Sequence, residues 1–425
     1  MTVKLVNGIK CLVNSLTDEQ AEAKEEEQRR VEFSFPILMV RTKLFGGVFD
    51  RLGRLRVSRI ASWFSLAIVP VVGAIGLFLI LFGLFALLWN PAAGDFAREV
   101  GLGGVILLPG ITPYLPFLYG WFGFVVTILV HEGAHGVAAR SLGLRVKSSG
   151  LLFLLFVPIG AFVDVDEEQI KKAKARVSSR VMAAGVGSNV VVAAACLIGV
   201  LLIVGGLAPV IDGAYISVVN QGSPAGASGL LPKDVFVSID GLRINQTADL
   251  TAILGNKTSG ETVNVTVARG DMWRDRFSTI VNLTVSENRT VMGVSVGDLQ
   301  TEERLRNYEN VTLERLSMYL VPPALAPGLA PFSDALSAFY TSPLGPQWPV
   351  FANTLFWLWF INVNVAVFNA LPIYPLDGGR MFNIALKSVF RGKEREKLIS
   401  TLTWGVTAAL VVVLMLTIII PFIPR

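Results

Sequence analysis

The sequence predicts an α-helical, polytopic membrane protein of about five to six spans with re-entrant segments and an inserted, extracytoplasmic, β-rich domain. Three observations predict it. The 425-residue chain is 52% hydrophobic and only 16% charged, with a mean hydropathy of +0.58, whereas soluble domains carry about 25% charged residues. Five uncharged stretches, 60–89, 101–130, 181–211, 335–376 and 398–424, reach the length of about 20 residues that crosses hydrocarbon. One long block, 208–349, is hydrophilic, with 14 acidic to 10 basic residues where the rest of the chain has 18 to 27.

In chain order, residues 1–58 form a polar N-terminal region. Its acidic-basic run, 18–30, reads as a surface or amphipathic helix rather than a cleaved leader. Cys11 and Cys196 lie far apart, one before the spans and one within a span, so no disulfide framework is expected. The first span follows Arg51, Arg54, Arg56 and Arg59. Residues 109–116 hold three prolines and a glycine and cannot be regular helix. Bare irregular backbone is not tolerated against lipid, so this segment must pack on protein, line a cavity or lie at the interface. Helix is expected from near Phe117 to about Leu142. The uncharged stretch 148–163 is too short to span comfortably and closes in Pro158-Ile159-Gly160-Ala161, so it reads as a hairpin or re-entrant element. After the span at 181–211 and the hydrophilic block, a further span is expected at roughly 350–371 and a last one from 398.

Basic residues gather on the cytoplasmic ends of spans. With five spans, Arg51–Arg59, the cluster 140–176 and the cluster 380–397 share one side, which makes the N-terminus cytoplasmic and 208–349 external. Asn245, Asn256, Asn264, Asn282, Asn288 and Asn310 each begin an Asn-x-Ser/Thr triplet, a pattern used for glycosylation only on a non-cytoplasmic face, and no other triplet occurs. A Thr-rich β domain also produces such triplets by chance.

The only two histidines are His131 and His135, four apart on an expected helix and therefore on one face. His131-Glu132-Gly133-Ala134-His135 is the His-Glu-x-x-His zinc pattern: two imidazoles hold the metal and the glutamate handles protons for the water it activates. The pentapeptide ends a 30-residue uncharged run, and ionisable groups at membrane depth are costly and functional by default. The bland alternative is a His/Glu cluster that stabilises a helix bundle. A catalytic zinc keeps three protein ligands, and without a third histidine the last must be a carboxylate or thiol. Asp377, the first charge after 42 uncharged residues, is the best candidate. On composition alone it reads equally well as the N-cap of a helix at about 378–390.

These residues resemble the site-2 protease family of intramembrane zinc metalloproteases, which combines His-Glu-x-x-His in one span with Asn-x-x-Pro…Leu-Asp-Gly in a later one, here Asn369-Ala370-Leu371-Pro372 and Leu376-Asp377-Gly378. The segments 109–116 and 150–164 resemble the family's segments on either side of the zinc helix. Ala184-Gly185-Val186-Gly187-Ser188-Asn189 resembles its Ala-Gly-Pro-x-x-Asn, with Val186 in place of proline. The resemblance implies Zn²⁺ on His131, His135 and Asp377, Glu132 as catalytic base and then acid, and Asn369 on the substrate backbone or oxyanion. Asn189 is a substrate candidate or a buried helix–helix hydrogen bond. Implied partners are transmembrane protein substrates and the lipid bilayer, with no nucleic acid. A multi-pass protein of a prokaryotic cell membrane is expected, since no organelle signal is apparent.

Within the external block, 216–219, 235–239 and 262–267 read as strands and 249–254 as a helix. Gly222-Ser223-Pro224-Ala225-Gly226 and Ile239-Asp240-Gly241 resemble a protease-associated PDZ domain, which implies a peptide ligand taken by strand addition, or else a spacer with an occluded groove. The expected division is an N-terminal region 1–58, membrane core 59–207, PDZ-like domain 208–300, linker 301–349 and second membrane core 350–425. Two rivals are an ion-coupled transporter, which predicts internal repeats and carboxylates spread over several spans, and an inactive zinc-binding scaffold, for which loss of Glu132 would speak. No repeat is seen, the ionisable groups cluster in two motifs, and Glu132 is present.

Overall fold

The computed structural model describes residues 31–42, 45–104, 107–155, 157–286, 289–390, 392 and 395–423. The run 18–30, Cys11 and Asn288 lie outside them. The chain divides into two compact units, 1–195 with 357–425, and 196–356.

The first unit begins with strands β1 (Val31–Ser34) and β2 (Ile37–Thr42), followed by helix α1 (Gly46–Gly53), helix α2 (Arg56–Trp89) and helix α3 (Pro91–Val100). Asn90 caps α3 by accepting the Ala92 N–H, and Pro91 fills its first position, where the missing donor costs nothing. The irregular segment at 109–116 is as expected and ends at α4 (Phe117–Ser141). Strands β3 (Val146–Leu154) and β4 (Val157–Val165) make the expected hairpin. They are joined by β1 and β2 in one antiparallel sheet, β1-β2-β3-β4, with Thr42 opposite Ser149 and Ile37 opposite Leu154. Helices α5 (Glu167–Lys172) and α6 (Ala175–Gly205) follow. Asp166 accepts the N–H groups of Glu168 and Gln169 to cap α5.

Among the described residues, five helices are long and apolar enough to cross a membrane: α2, α4, α6, α11 (Trp348–Ala370) and the last, α13 (Glu396–Ile419) with the turn after it. Helix α12 (Asp377–Val389) lies between the last two. Mean hydropathy is 2.8 for α2 and 2.6 for α13, each with 17% of its most apolar window buried. For α4 and α11 it is 1.4 and 1.5, with 39% and 44% buried. The least apolar helices are therefore the inner ones, where polar groups meet protein instead of lipid.

Among the described residues, two apolar clusters join α2, α4, α6 and α11. Val69 and Val72 of α2 pack with Ala183 and Val186 of α6 and with Ala366 and Ala370 of α11. Phe49 of α1, Ala139 of α4, Val146, Val165 and Val181-Met182 of α6 form the other. The stretch 181–186 serves both, so this part of α6 is fixed from two sides.

The second unit carries β5 (Ala208–Pro209), β6 (Ala214–Val219), α7 (Pro224–Ala227), β7 (Val235–Ile239), β8 (Leu242–Arg243), α8 (Thr247–Gly255), β9 (Thr262–Arg269), β10 (Asp275–Asn282), β11 (Thr284–Ser286), β12 (Arg289–Val291) and β13 (Val294–Asp298). The antiparallel sheet runs β10-β9-β7-β6-β13, with β8 on β7. Asp240 and Gly241, at φ 49° and 81°, make the two-residue turn from β7 to β8. Ile216, Leu230, Ile239, Val263, Val265 and Leu283 are among its fully enclosed core. Leu230→Ala is expected to destabilise this unit by about 2–5 kcal/mol. Pulse proteolysis across a urea series should then cut 214–298 at lower urea, and an unmoved midpoint would remove Leu230 from the core.

Residues 301–349 are more than connecting chain. Helices α9 (Thr301–Glu309) and α10 (Leu316–Tyr319) and the short strand β14 (Tyr340–Thr341), paired with β5, carry buried aromatics: Tyr308 packs edge-on against Tyr319 and Phe332, and Phe339 packs against Tyr215 and Trp273. Burial pushes the Tyr340 phenol up to about 12 and the Tyr308 phenol higher still.

Candidate metal centre

Helix α4 carries His131 and His135 one turn apart, with ring centroids 5.0 Å apart and both side chains buried. Asp377, the first residue of α12, faces them from the far end of the first unit's sequence. Its Oδ2 lies 3.1 Å from His131 Nε2 and 3.2 Å from His135 Nε2. That oxygen is buried and has no hydrogen-bond partner among the described residues. The N-cap of α12 is Leu376, which makes no side-chain cap. The open choice at Asp377 between helix cap and ligand is thus met by an oxygen aimed at two imidazoles.

The backbone makes this approach possible through glycine. A Cβ on Gly378 would stand 2.3 Å from Ala370 O, and one on Gly379 would stand 2.4 Å from the carbonyl of Ile373. Only bare backbone lets the start of α12 fold back against the end of α11 and its following turn. On the opposite side, α6 closes over the imidazoles at Gly185. A Cβ there would lie 2.5 Å from His131 Nε2 and 2.6 Å from His135 Nε2.

The donor set suits a small cation. Tetrahedral zinc ligands at about 2.0–2.2 Å stand roughly 3.3 Å from one another, close to the two separations above. His135 Nδ1 is 2.7 Å from Val181 O, a contact in which Nδ1–H donates and the Nε2 lone pair is left toward Asp377. His131 Nδ1 is 3.1 Å from Asn189 Nδ2, while Asn189 Oδ1 is buried without a partner among the described residues. Turning that amide end for end would put an acceptor on the ring nitrogen and direct the His131 Nε2 lone pair inward in the same way.

Glu132 has ligand atoms within 4.8 Å of both histidines and is a second carboxylate beside them. Its Oε2 accepts the Val163 N–H of β4 at 3.1 Å. Of the two carboxylates, Asp377 offers the free buried oxygen nearest both imidazoles, and Glu132 is tied to the strand. A cavity of about 570 Å³ opens here, lined by His131, Glu132, His135, Val163, Asn369 and Asp377 among others. Asn369 donates to Val365 O of its own helix at 3.1 Å, which leaves its second N–H. Five of the six residues singled out in the sequence therefore border one cavity, and Asn189 does not line it. The Val163 amide had no signal in the sequence, because a backbone donor has no side-chain type. Asn189 was visible, but its contact with His131 was not.

The family model of Peptidase family M50 matches residues 119–414, well over half of the chain. An uncharacterized protein of Methanocaldococcus jannaschii is 24% identical over 351 residues, 81% of this chain and 76% of that one. A Clostridium perfringens protein provisionally named a zinc metalloprotease is 28% identical over 64% of this chain and 88% of its own. A membrane-bound transcription factor site-2 protease homolog of Arabidopsis thaliana is 28% identical over 49% of this chain and 41% of its own. Among solved structures, the PDZ domain of an SdrC-like protein from Listeria monocytogenes is similar over 22% of this chain and 94% of its own, at 21% identity and a TM-score of 0.19.

Proposed function

This chain belongs to peptidase family M50, and from that premise we propose that it is an intramembrane zinc metalloprotease that hydrolyses peptide bonds within or near the transmembrane segments of other membrane proteins. The observation that carries the reading is the convergence of two buried imidazoles on one unpartnered carboxylate oxygen between helices apolar enough to span a membrane, with Glu132 at the same cavity.

His131, His135 and Asp377 would hold the zinc. When bound, it supplies a Lewis acid that activates water and polarises the scissile carbonyl. Glu132 takes the proton from the attacking water and then gives it to the leaving amine. The Val163 N–H fixes one oxygen of that carboxylate, so the other is presented to the cavity in a set orientation. Asn369 turns its spare N–H to the substrate backbone or the developing oxyanion. The substrate segment must be extended here, because helical carbonyls are already engaged in hydrogen bonds.

Asn189 is a positioning residue that holds the His131 ring by its Nδ1. Asn189→Ala is expected to weaken zinc binding by about 10–100-fold, measured by competition with a chromophoric chelator. Asn189→Asp, which keeps an acceptor, should retain most of the affinity. Equal affinity in the alanine variant would leave Asn189 a packing residue only.

The charge asymmetry supports a cytoplasmic N-terminus, an external 208–349 and cleavage nearer the cytoplasmic face. The PDZ-like region then either excludes substrates with intact outer domains or docks a newly cut end. The test is cleavage of a transmembrane reporter by the purified chain in liposomes. Stripping zinc should stop the reaction and adding it back should restore it. Cleavage that persists without metal, or that is confined to unfolded soluble chains, would sink the proposal.

A further inference from the structure

A second polar hollow lies in the first unit, apart from the metal centre. It has a volume of about 260 Å³ and is lined by Asp50, Arg54, Arg140, Gly143, Leu144, Arg145 and Gln169. Its three arginines come from three segments. Arg54 follows α1, Arg140 ends α4, and Arg145 lies in the turn before β3. Two carboxylates answer them, Asp50 beside Arg140 and Asp166, which interacts electrostatically with Arg145. Asp50 Oδ1 is 3.0 Å from Arg140 Nε, and Arg140 also reaches toward Val146 O. That ion pair sets the guanidinium beside Asp50, although among the described residues Arg140 Nε makes no hydrogen bond. Among the described residues, neither Arg54 nor Arg145 forms an ion pair with a carboxylate.

The position of the hollow is fixed by packing. Phe49 of α1 lies against Gly136 and Ala139 of α4, and Gly53 closes on the Arg140 backbone. Arg54 precedes the uncharged run of α2, while Arg140 and Arg145 follow that of α4. The three guanidiniums therefore gather where two apolar helices leave the hydrocarbon together, at headgroup level. Gathering like charges costs Coulomb energy unless a counter-charge is taken up. Gln169 adds a neutral donor. Its Oε1 accepts the Arg145 N–H, so its amide nitrogen remains for a ligand.

We propose that this hollow binds a phosphoryl group, with Arg54 and Arg145 as its principal ligands and Arg140 and Gln169 completing the cradle. Forked guanidinium donors match phosphate oxygens two at a time, which a single lysine ammonium does not. The same chemistry is offered by the headgroup of an anionic phospholipid and by free phosphate. Occupancy would tie α1 to the C-terminal end of the helix that bears His131 and His135.

The experiment uses the full chain in nanodiscs of phosphatidylcholine with and without phosphatidylglycerol, with retained lipid counted by native mass spectrometry. Inorganic phosphate is titrated separately, with thermal unfolding as readout. The variants are Arg54→Gln/Arg145→Gln, the charge-keeping Arg54→Lys/Arg145→Lys, and Lys171→Gln/Lys172→Gln, which removes two exposed charges nearby. Wild type is expected to retain phosphatidylglycerol, with at least about a tenfold loss in the glutamine variant, as expected for a lost charge-assisted hydrogen bond. The arginine-to-lysine variant should fall between, and Lys171→Gln/Lys172→Gln should match wild type. Stabilisation by phosphate without retained lipid assigns the site to a free anion. Equal behaviour of wild type and both arginine variants in both arms overturns the proposal. So does an equal loss in the Lys171/Lys172 variant, which would mark diffuse surface charge.

Discussion

Glu132→Gln is expected to lower peptide-bond cleavage by about 10²–10⁴-fold, the usual worth of a positioned general acid–base, with zinc content unchanged. The substitution is nearly isosteric. The amide oxygen of glutamine still accepts the Val163 N–H, so the side chain keeps its place in the cavity. What disappears is the group that takes a proton from water and returns one to the leaving amine. Metal binding should survive because the free buried oxygen closest to both imidazoles belongs to Asp377. The two carboxylates therefore make opposite predictions. Asp377→Asn should lose zinc first and activity with it, whereas Glu132→Gln should lose activity alone. Metal analysis beside reporter cleavage separates them. If Glu132→Gln loses zinc and Asp377→Asn keeps it, the two roles have been exchanged.

The parts of this site that were legible in the sequence are those with a period or a spacing. His131, Glu132 and His135 follow from helical spacing at the end of an uncharged run. Asp377 was half legible. The prolines and glycines around it mark a broken backbone, but a carboxylate before a helix is also an ordinary cap. The direction of Oδ2 supports the ligand reading, and direction is a tertiary property. The long apolar helices among the described residues were legible, four to within about four residues and α6 shifted by six at each end, since twenty uncharged residues have few other fates.

Strands β1 and β2 were missed for a different reason. Val31-Glu32-Phe33-Ser34 alternates as a strand should, yet it adjoins a highly charged run and was grouped with it. It pairs with β2 beside it, but the partner that ties β2 into the sheet, β3, begins more than a hundred residues later. Pairing at that separation leaves no local mark. The buried aromatics of 301–349 were hidden likewise. Tyr308, Tyr319, Phe332 and Phe339 are spaced irregularly, so neither the helical nor the strand period reveals one face.

Gly185→Ala is expected to weaken zinc binding by at least about 10²-fold, the upper range for changes beside a metal's ligands, and to lower cleavage in proportion. Glycine is an ordinary enough helix residue that its role here could be overlooked, and alanine there should even favour the helix by about 1 kcal/mol. The added methyl, however, would stand 2.5 Å from His131 Nε2 and 2.6 Å from His135 Nε2, well inside van der Waals contact. Something must move. Helix α6 is poorly placed to yield, because Val181 and Met182 are packed in one apolar cluster and Ala183 and Val186 in another. The imidazoles are also held, one by Val181 O and one by Asn189, both from α6 itself. Rotating either ring breaks its outer contact and carries Nε2 away from Asp377 Oδ2. Propensity and site geometry thus push in opposite directions, which makes the substitution diagnostic. Gly83→Ala on α2, where an added Cβ meets nothing within 4 Å, supplies the comparison with propensity alone. If both variants bind zinc like wild type in chelator competition, α6 can retreat without disturbing the ligands. The close approach of Gly185 would then be incidental to the metal centre.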